Sequence, residues 1–224
     1  MEAVTPLRRE RIDRLRGLYA IADGAATRPS LDLIAAFLRG GARVIQLRLK
    51  SAGTAELLRV AREAAARCRA HGALFLVNDR PDIARLAAAD GVHLGQEDLP
   101  VEAARAVLGA DALIGVSTHS DPEMDAALAA GADYLGFGPI FATASKPGAP
   151  LPPPQGIEGL ARAVKRAAPV PVVAIGGLGA DNAAAVAAAG ARCLAAIGEL
   201  CRAADPEAAA RRLGLAFGGG GKLG

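Results

Sequence analysis

The chain has 224 residues, of which 52% are apolar and 3% aromatic, with no Trp and a net charge of +3. That is ample material for one large domain or two small ones. The dispersed charge and the lack of base-stacking surface exclude nucleic acid as a main partner. No stretch reaches the ~20 apolar residues of a membrane span, and the N-terminus lacks a signal peptide's apolar core. A cytoplasmic protein with no membrane partner is expected, and a homo-oligomer is compatible with the chain.

Residues 1–16 form a basic leader in which Leu7 to Arg16 reads as a solvated helical or disordered segment. From there on, short β-rich runs alternate with longer patterns rich in Ala, Leu and Arg. Strands are expected at 18–23, 43–49, 73–78, 91–94, 112–117, 133–138, 171–176 and 192–197. Helices are expected near 30–40, 54–71, 81–89, 100–108, 121–130, 156–167, 180–189 and 205–216. Ser30 and Asp121 stand as helix caps, and Pro81, Pro100 and Pro122 at first helical positions. Gly-Ala pairs at 41–42, 72–73, 131–132 and 190–191 sit between a helix and the next strand, where left-handed turns favour glycine.

Eight βα units without a compositional break predict an α/β fold over residues 17–217, a single (β/α)8 TIM barrel, with a doubly wound open sheet as the rival. The Gly-rich tail 218–224 is expected to be flexible. Cys68, Cys193 and Cys201 lack metal-ligand spacing and read as free thiols. His71, His93 and His119 are too far apart in sequence for a zinc motif.

The polar clusters all follow strands, on the face where barrels of this kind carry their active sites. In Val44 to Lys50, side-chain alternation puts Gln46, Arg48 and Lys50 on one side and Ile45, Leu47 and Leu49 on the other. Two cations directed inward need an anion, and a polyanionic ligand would supply it. Asp79 and Asp98 follow neighbouring strands ~4.8 Å apart, so their carboxylates can converge on one hard cation such as Mg2+, with Asn78 near the same phosphates.

Ser117 ends the fifth strand and could bind ligand, while Thr118 and Ser120 read as the capped entry to the next helix. His119 is a candidate acid or base without a visible partner. Residues 139–154 form the longest irregular insertion. There Thr143, Ser145 and Lys146 could bind phosphate, and Pro147 to Pro154 could close as a lid. Gly176-Gly177 and Ile197-Gly198 follow strands seven and eight, the usual phosphate corner of such barrels.

In order, Gln46-x-Arg48-x-Lys50, Val77-Asn78-Asp79-Arg80, Gly91-Val92-His93-Leu94-Gly95-Gln96-Glu97-Asp98, Gly115-Val116-Ser117-Thr118-His119, Gly138-Pro139-Ile140-Phe141 and Ala174-Ile175-Gly176-Gly177 resemble thiamine phosphate synthase. The resemblance runs from about Gly17 to Leu213. It implies a transferase of thiamine biosynthesis that condenses hydroxymethylpyrimidine diphosphate with hydroxyethylthiazole phosphate, small-molecule substrates, to give thiamine phosphate and pyrophosphate. Carried over, Gln46 contacts the pyrimidine, and Arg48, Lys50, Asn78, Ser117 and Lys146 hold the diphosphate. Asp79 and Asp98 bind magnesium.

The same resemblance assigns Thr143, Ser145, Gly177, Ile197 and Gly198 to the thiazole phosphate. Arg48, Lys50, Ser117 and Lys146 are the expected catalytic set, acting on a dissociative step. Gly198 stands where that family commonly has a hydroxyl residue, and Ser145 where Thr is usual. A thiazole tautomerase of the same barrel family and a non-catalytic barrel that binds thiamine intermediates are the alternative readings.

Overall fold

Eight parallel strands pair in chain order and close into a barrel, the last bonding to the first. The computed structural model describes residues 4–143 and 152–218. The strands are β1 (Gly17–Asp23), β2 (Val44–Arg48), β3 (Leu74–Asn78), β4 (Gly91–Leu94), β5 (Leu113–Thr118), β6 (Tyr134–Phe137), β7 (Val172–Ile175) and β8 (Cys193–Ala196). Around them run α1 (Pro6–Arg14), α2 (Ser30–Arg39), α3 (Thr54–Ala70), α4 (Pro81–Leu86), α5 (Val101–Leu108), α6 (Asp121–Ala129), α7 (Gly156–Ala167), α8 (Ala180–Ala188), the single turn α9 (Gly198–Cys201) and α10 (Pro206–Gly218). The closed barrel replaces the open-sheet alternative. Among the described residues no helix is long and apolar enough to cross a membrane.

Alternation along each strand builds two cores. Ile45, Leu47, Phe75 and Val77 point outward and pack with Leu33, Phe37 and Ala61 of the helix layer. Their neighbours Val44, Leu74 and Leu76 point inward with Tyr19, Ile21, Leu113, Tyr134 and Val173 to fill the barrel. The glycines of the expected turns at 41, 72, 131 and 190 all have positive φ, between 64° and 92°, a region where a Cβ is disfavoured. Cys68, Cys193 and Cys201 are free and buried, and burial pushes the Cys68 thiol up to about 12.

Several local expectations need correction. Ser120, not Asp121, caps α6, its hydroxyl accepting from the Glu123 amide at 3.4 Å. Pro29 and Pro100 occupy the cap positions before α2 and α5, so Ser30 lies one residue inside its helix and Pro100 one residue outside. The one-turn α9 after β8 was not foreseen, because four residues are too few for helical periodicity to register. The expected tail from 218 contains the last residue of α10, and its remainder lies outside the described residues.

The leader is helical but not simply solvated. Thr5 caps α1 through its hydroxyl, and Arg8 reaches under the barrel to Asp133, Nε to Oδ1 at 3.4 Å, with both side chains under 10% exposed. Arg105 meets the other Asp133 oxygen at 2.6 Å, and the Ile114 amide donates to that same oxygen at 2.8 Å. Arg8 also donates to the Ala110 carbonyl at 3.3 Å, and Arg11 pairs with Asp90 at 3.1 Å. Leu15, fully buried, joins the interior core. The run of arginines looked like a solvent face because its carboxylate partners lie about a hundred residues away in the chain.

Replacing Asp133 by Ala would leave two largely buried guanidinium groups without their counter-charge. It should destabilise the fold by about 3–5 kcal/mol, measured as a fall in the urea unfolding midpoint at unchanged slope.

Candidate active site

The carboxyl ends of β2, β3 and β4 bring the cationic stripe and the carboxylates together. Gln46 is 2% exposed and turns into the barrel, as alternation demands. Arg48, at the end of β2, holds Asp23 of β1 through Nη1 to Oδ2 at 2.6 Å. The register sets Asp23 directly beside Arg48. Lys50, just beyond the strand, pairs with Asp79 at 3.0 Å, its side chain 58% exposed. The two cations thus have protein counter-charges, and the expectation that a ligand alone balances them is corrected. Asp23 was missed because it ends an otherwise apolar strand 25 residues upstream of Arg48.

Asp79 sits at φ 63°, a left-handed geometry tolerated by aspartate, with its amide bonded to the His93 carbonyl at 2.9 Å. Asp98 accepts from the Gly95 amide at 2.7 Å. Burial raises the Asp98 carboxyl above its ordinary range and the adjoining Asp79 carboxyl raises it further, while the Gly95 amide and Lys50 oppose both. Two carboxyls in contact beside one ammonium form a hard-oxygen donor pair, which is the donor chemistry of a Mg2+ site completed by water and phosphate oxygens. No cluster of three or more His, Cys, Asp or Glu side chains suited to a metal exists among the described residues. Asn78, half-buried at the end of β3, is paired in register with His93. Glu97 is exposed, and Asp82 is taken up by Arg80 at 2.6 Å.

Ser117 is linked across the barrel to Gln46. Its Oγ lies 2.9 Å from His93 Nε2, and His93 Nδ1 lies 2.9 Å from the Tyr134 hydroxyl. The Tyr134 hydroxyl is 3.1 Å from that of Tyr19, which receives the Gln46 Nε2–H at 2.7 Å. Tyr19 and Tyr134 are the chain's two tyrosines. Nothing in the sequence singled them out, although each faces the interior with a hydroxyl that must find a partner. A Cβ at Gly115 would fall 1.9 Å from the Tyr134 ring and one at Gly136 would fall 3.0 Å from the His93 ring, so the two glycines make room for these rings.

On the other side of the barrel mouth lies a cavity of about 390 Å³ lined by Thr143, Gly176, Gly177, Ile197, Gly198, Arg202 and His119 among others. Gly176 and Gly177 have φ of 98° and 67°. A side chain there would strike Pro139 or the Ala142 carbonyl at 2.6 Å, so only glycine lets the backbone line the cavity this closely. The His119 amide bonds Glu123 at 2.7 Å, and its Nδ1 bonds the Gly138 carbonyl and therefore carries the hydrogen. His119 is thus clamped by backbone and carboxylate, which supplies the partner the sequence did not reveal.

Over Gly198 lies the guanidinium of Arg202, which a Cβ at 198 would meet at 2.3 Å. Arg202 was missed because nothing in the spacing of one surface arginine after a short turn marks it. Ser145, Lys146 and most of the expected lid Pro147 to Pro154 lie outside the described residues.

Residues 18–200 match the family model described as thiamine monophosphate synthase. A thiamine-phosphate synthase of Anaeromyxobacter dehalogenans is 53% identical over 208 residues, which cover 92% of this chain and 90% of that protein. One from Thioalkalivibrio sulfidiphilus is 47% identical over 214 residues, covering 92% and 97%. Among solved structures, a thiamine phosphate pyrophosphorylase from Pyrococcus furiosus superposes with a TM-score of 0.85 at 36% identity, covering 96% of this chain and all of that one.

A Gly115→Ala change would force its methyl into the Tyr134 ring. Overpacking of this kind should cost about 1–3 kcal/mol, read from denaturant unfolding, with near-ultraviolet circular dichroism reporting the displaced tyrosine.

Proposed function

The chain belongs to the thiamine monophosphate synthase family, and from that premise we propose how its residues carry out the transfer of a pyrimidinylmethyl group from pyrophosphate to the nitrogen of a thiazole phosphate. The observation that carries the reading is the division of the barrel mouth. One half presents Arg48, Lys50, Asp79 and Asp98 over the buried Gln46. The other presents the glycine-lined cavity with Thr143 and Arg202.

In the first half, Gln46 fixes the pyrimidine at the barrel floor, and Arg48, Lys50, Asn78 and Ser117 grip the diphosphate. Asp23 holds Arg48 extended in advance, so the guanidinium needs no reordering when the ligand arrives. Asp79 and Asp98 are the residues to hold Mg2+, which would neutralise diphosphate charge. Lys146 is assigned to the same leaving group. In the second half, the backbone of Gly177, Ile197 and Gly198, the hydroxyls of Thr143 and Ser145, and the Arg202 guanidinium receive the thiazole phosphate.

The reaction is a displacement at the pyrimidinylmethyl carbon. Its bond to the pyrophosphate oxygen breaks, that oxygen keeps the electron pair, and the thiazole nitrogen supplies the new pair to the same carbon. A loose, cation-like transition state asks for leaving-group charge stabilisation and a closely held nucleophile, more than for a general base. The residues in the two halves match that demand. Three buried free thiols suit a reducing compartment, and we place the reaction in the cytoplasm.

Purified protein given both substrates and magnesium should form thiamine phosphate and pyrophosphate, detected by chromatography, and a chelator should abolish turnover. Absence of product at every magnesium concentration would overturn the assignment, and full activity of Asp98→Ala with unchanged magnesium dependence would remove the metal role.

The two halves should separate kinetically. Arg48→Ala should lower turnover by roughly 10² to 10³ as a preorganised charge-stabilising group is lost. Arg202→Ala should instead raise the KM for thiazole phosphate roughly ten-fold or more, leaving the KM for the pyrimidine diphosphate within about two-fold. Equal effects of both variants on both substrates would contradict the division.

A further inference from the structure

The hydrogen-bonded row Gln46, Tyr19, Tyr134, His93 and Ser117 has a direction. The Gln46 Nε2 group can only donate, so Tyr19 accepts from it at 2.7 Å. Both phenols stay neutral, since burial raises the Tyr19 and the Tyr134 hydroxyls far above their ordinary value, and each brings one hydrogen. The hydrogen of Tyr19 has one hydroxyl within reach, that of Tyr134 at 3.1 Å, in surroundings of Val44, Leu74, Leu76, Leu113 and the weakly polar Cys193 thiol. Tyr134 then spends its own hydrogen on His93 Nδ1 at 2.9 Å.

Run the other way, with Ser117 donating to His93 and His93 to Tyr134, the row would strand the Tyr19 hydrogen in the apolar barrel, an arrangement that buried polar groups avoid. With the Gln46 amide nitrogen toward Tyr19, the direction away from Gln46 is the one that satisfies every buried donor.

We propose that His93 is a positioning residue whose neutral Nε2–H form, imposed by the Tyr134 hydroxyl, donates to Ser117 Oγ and leaves the Ser117 hydroxyl hydrogen free for the leaving diphosphate. Had His93 accepted from Ser117, the serine would offer an anionic ligand a lone pair in place of a hydrogen. The barrel interior therefore sets the polarity of a residue at its mouth, and Gln46, which the pyrimidine touches, heads the same row. Gly115 and Gly136 serve the device by admitting the Tyr134 and His93 rings, each of which a methyl group would crowd. This inference rests on the reading of Ser117 as a diphosphate contact.

The test labels histidine with ¹⁵N and reads the His93 ring nitrogens by NMR in the full-length protein without ligands, so it needs no activity. The wild type should show a single neutral Nε2–H form. Tyr134→Phe keeps the ring but removes the donor, and should give a mixture of both neutral forms. Tyr19→Phe leaves Tyr134 able to donate and should keep the Nε2–H form.

In kinetics, Tyr134→Phe should lower kcat roughly ten-fold, a neutral hydrogen bond's worth, with the KM for thiazole phosphate unchanged. Combined with Ser117→Ala it should cost no more than Ser117→Ala alone. An Nδ1–H form in the wild type, an unchanged form in Tyr134→Phe, or multiplying effects in the double variant would overturn the proposal. If Ser117→Ala were instead fully active while the NMR result held, the assignment of Ser117 to the diphosphate would fail and the imposed His93 form would stand.

Discussion

A polar group inside a closed barrel can satisfy itself only with another polar group, and this constraint shapes most of what surrounds the site. Strand alternation sends Gln46 and Tyr19 into an interior otherwise filled by Val, Leu and Ile. Once there, each hydroxyl or amide costs free energy unless paired. Pairing recruits Tyr134 from β6 and His93 from β4, and the row ends at the barrel mouth, at Ser117. What holds the barrel floor together also orients the polar groups at its mouth.

Charge follows the same logic at both ends of the barrel, with opposite results. Beneath it, Asp133 is enclosed by Arg8 and Arg105 and takes a backbone amide as well, so each of its oxygens faces a cation and the cluster serves stability. At the mouth, Asp79 and Asp98 touch each other and share the partly exposed Lys50. Two carboxyls against one ammonium leave negative charge over, and that surplus favours a further cation. A barrel's division into a stability face and a reactive face is visible here as a difference in charge balance.

The alternation of β-rich and helical runs made the barrel and the order of its elements legible, because each unit's local pattern agrees with its place in the whole. Gln46, Asp79, Asp98 and Ser117 stood out as candidates for a related reason: polar residues that interrupt or end apolar strands have few structural excuses. Illegible were features that depend on who meets whom across the chain. Arg8 finds Asp133, and Asp23 finds Arg48, through barrel closure that no local window contains. Tyr134 and His93 looked like ordinary strand residues until the register placed them beside Tyr19 and Ser117. Arg202 had no pattern at all, since its position depends on the emptiness above Gly198.

That emptiness ties two positions together. With Gly at 198 the guanidinium of Arg202 can lie across the turn, whereas any side chain at 198 takes the same volume and displaces it. A hydroxyl at 198 and a guanidinium folded over it therefore cannot fill this corner at the same time. The contact is with the far end of a flexible, exposed side chain, so a hydroxyl at 198 would require the guanidinium to swing off the turn, and the corner would exchange a cation held close for a short neutral donor.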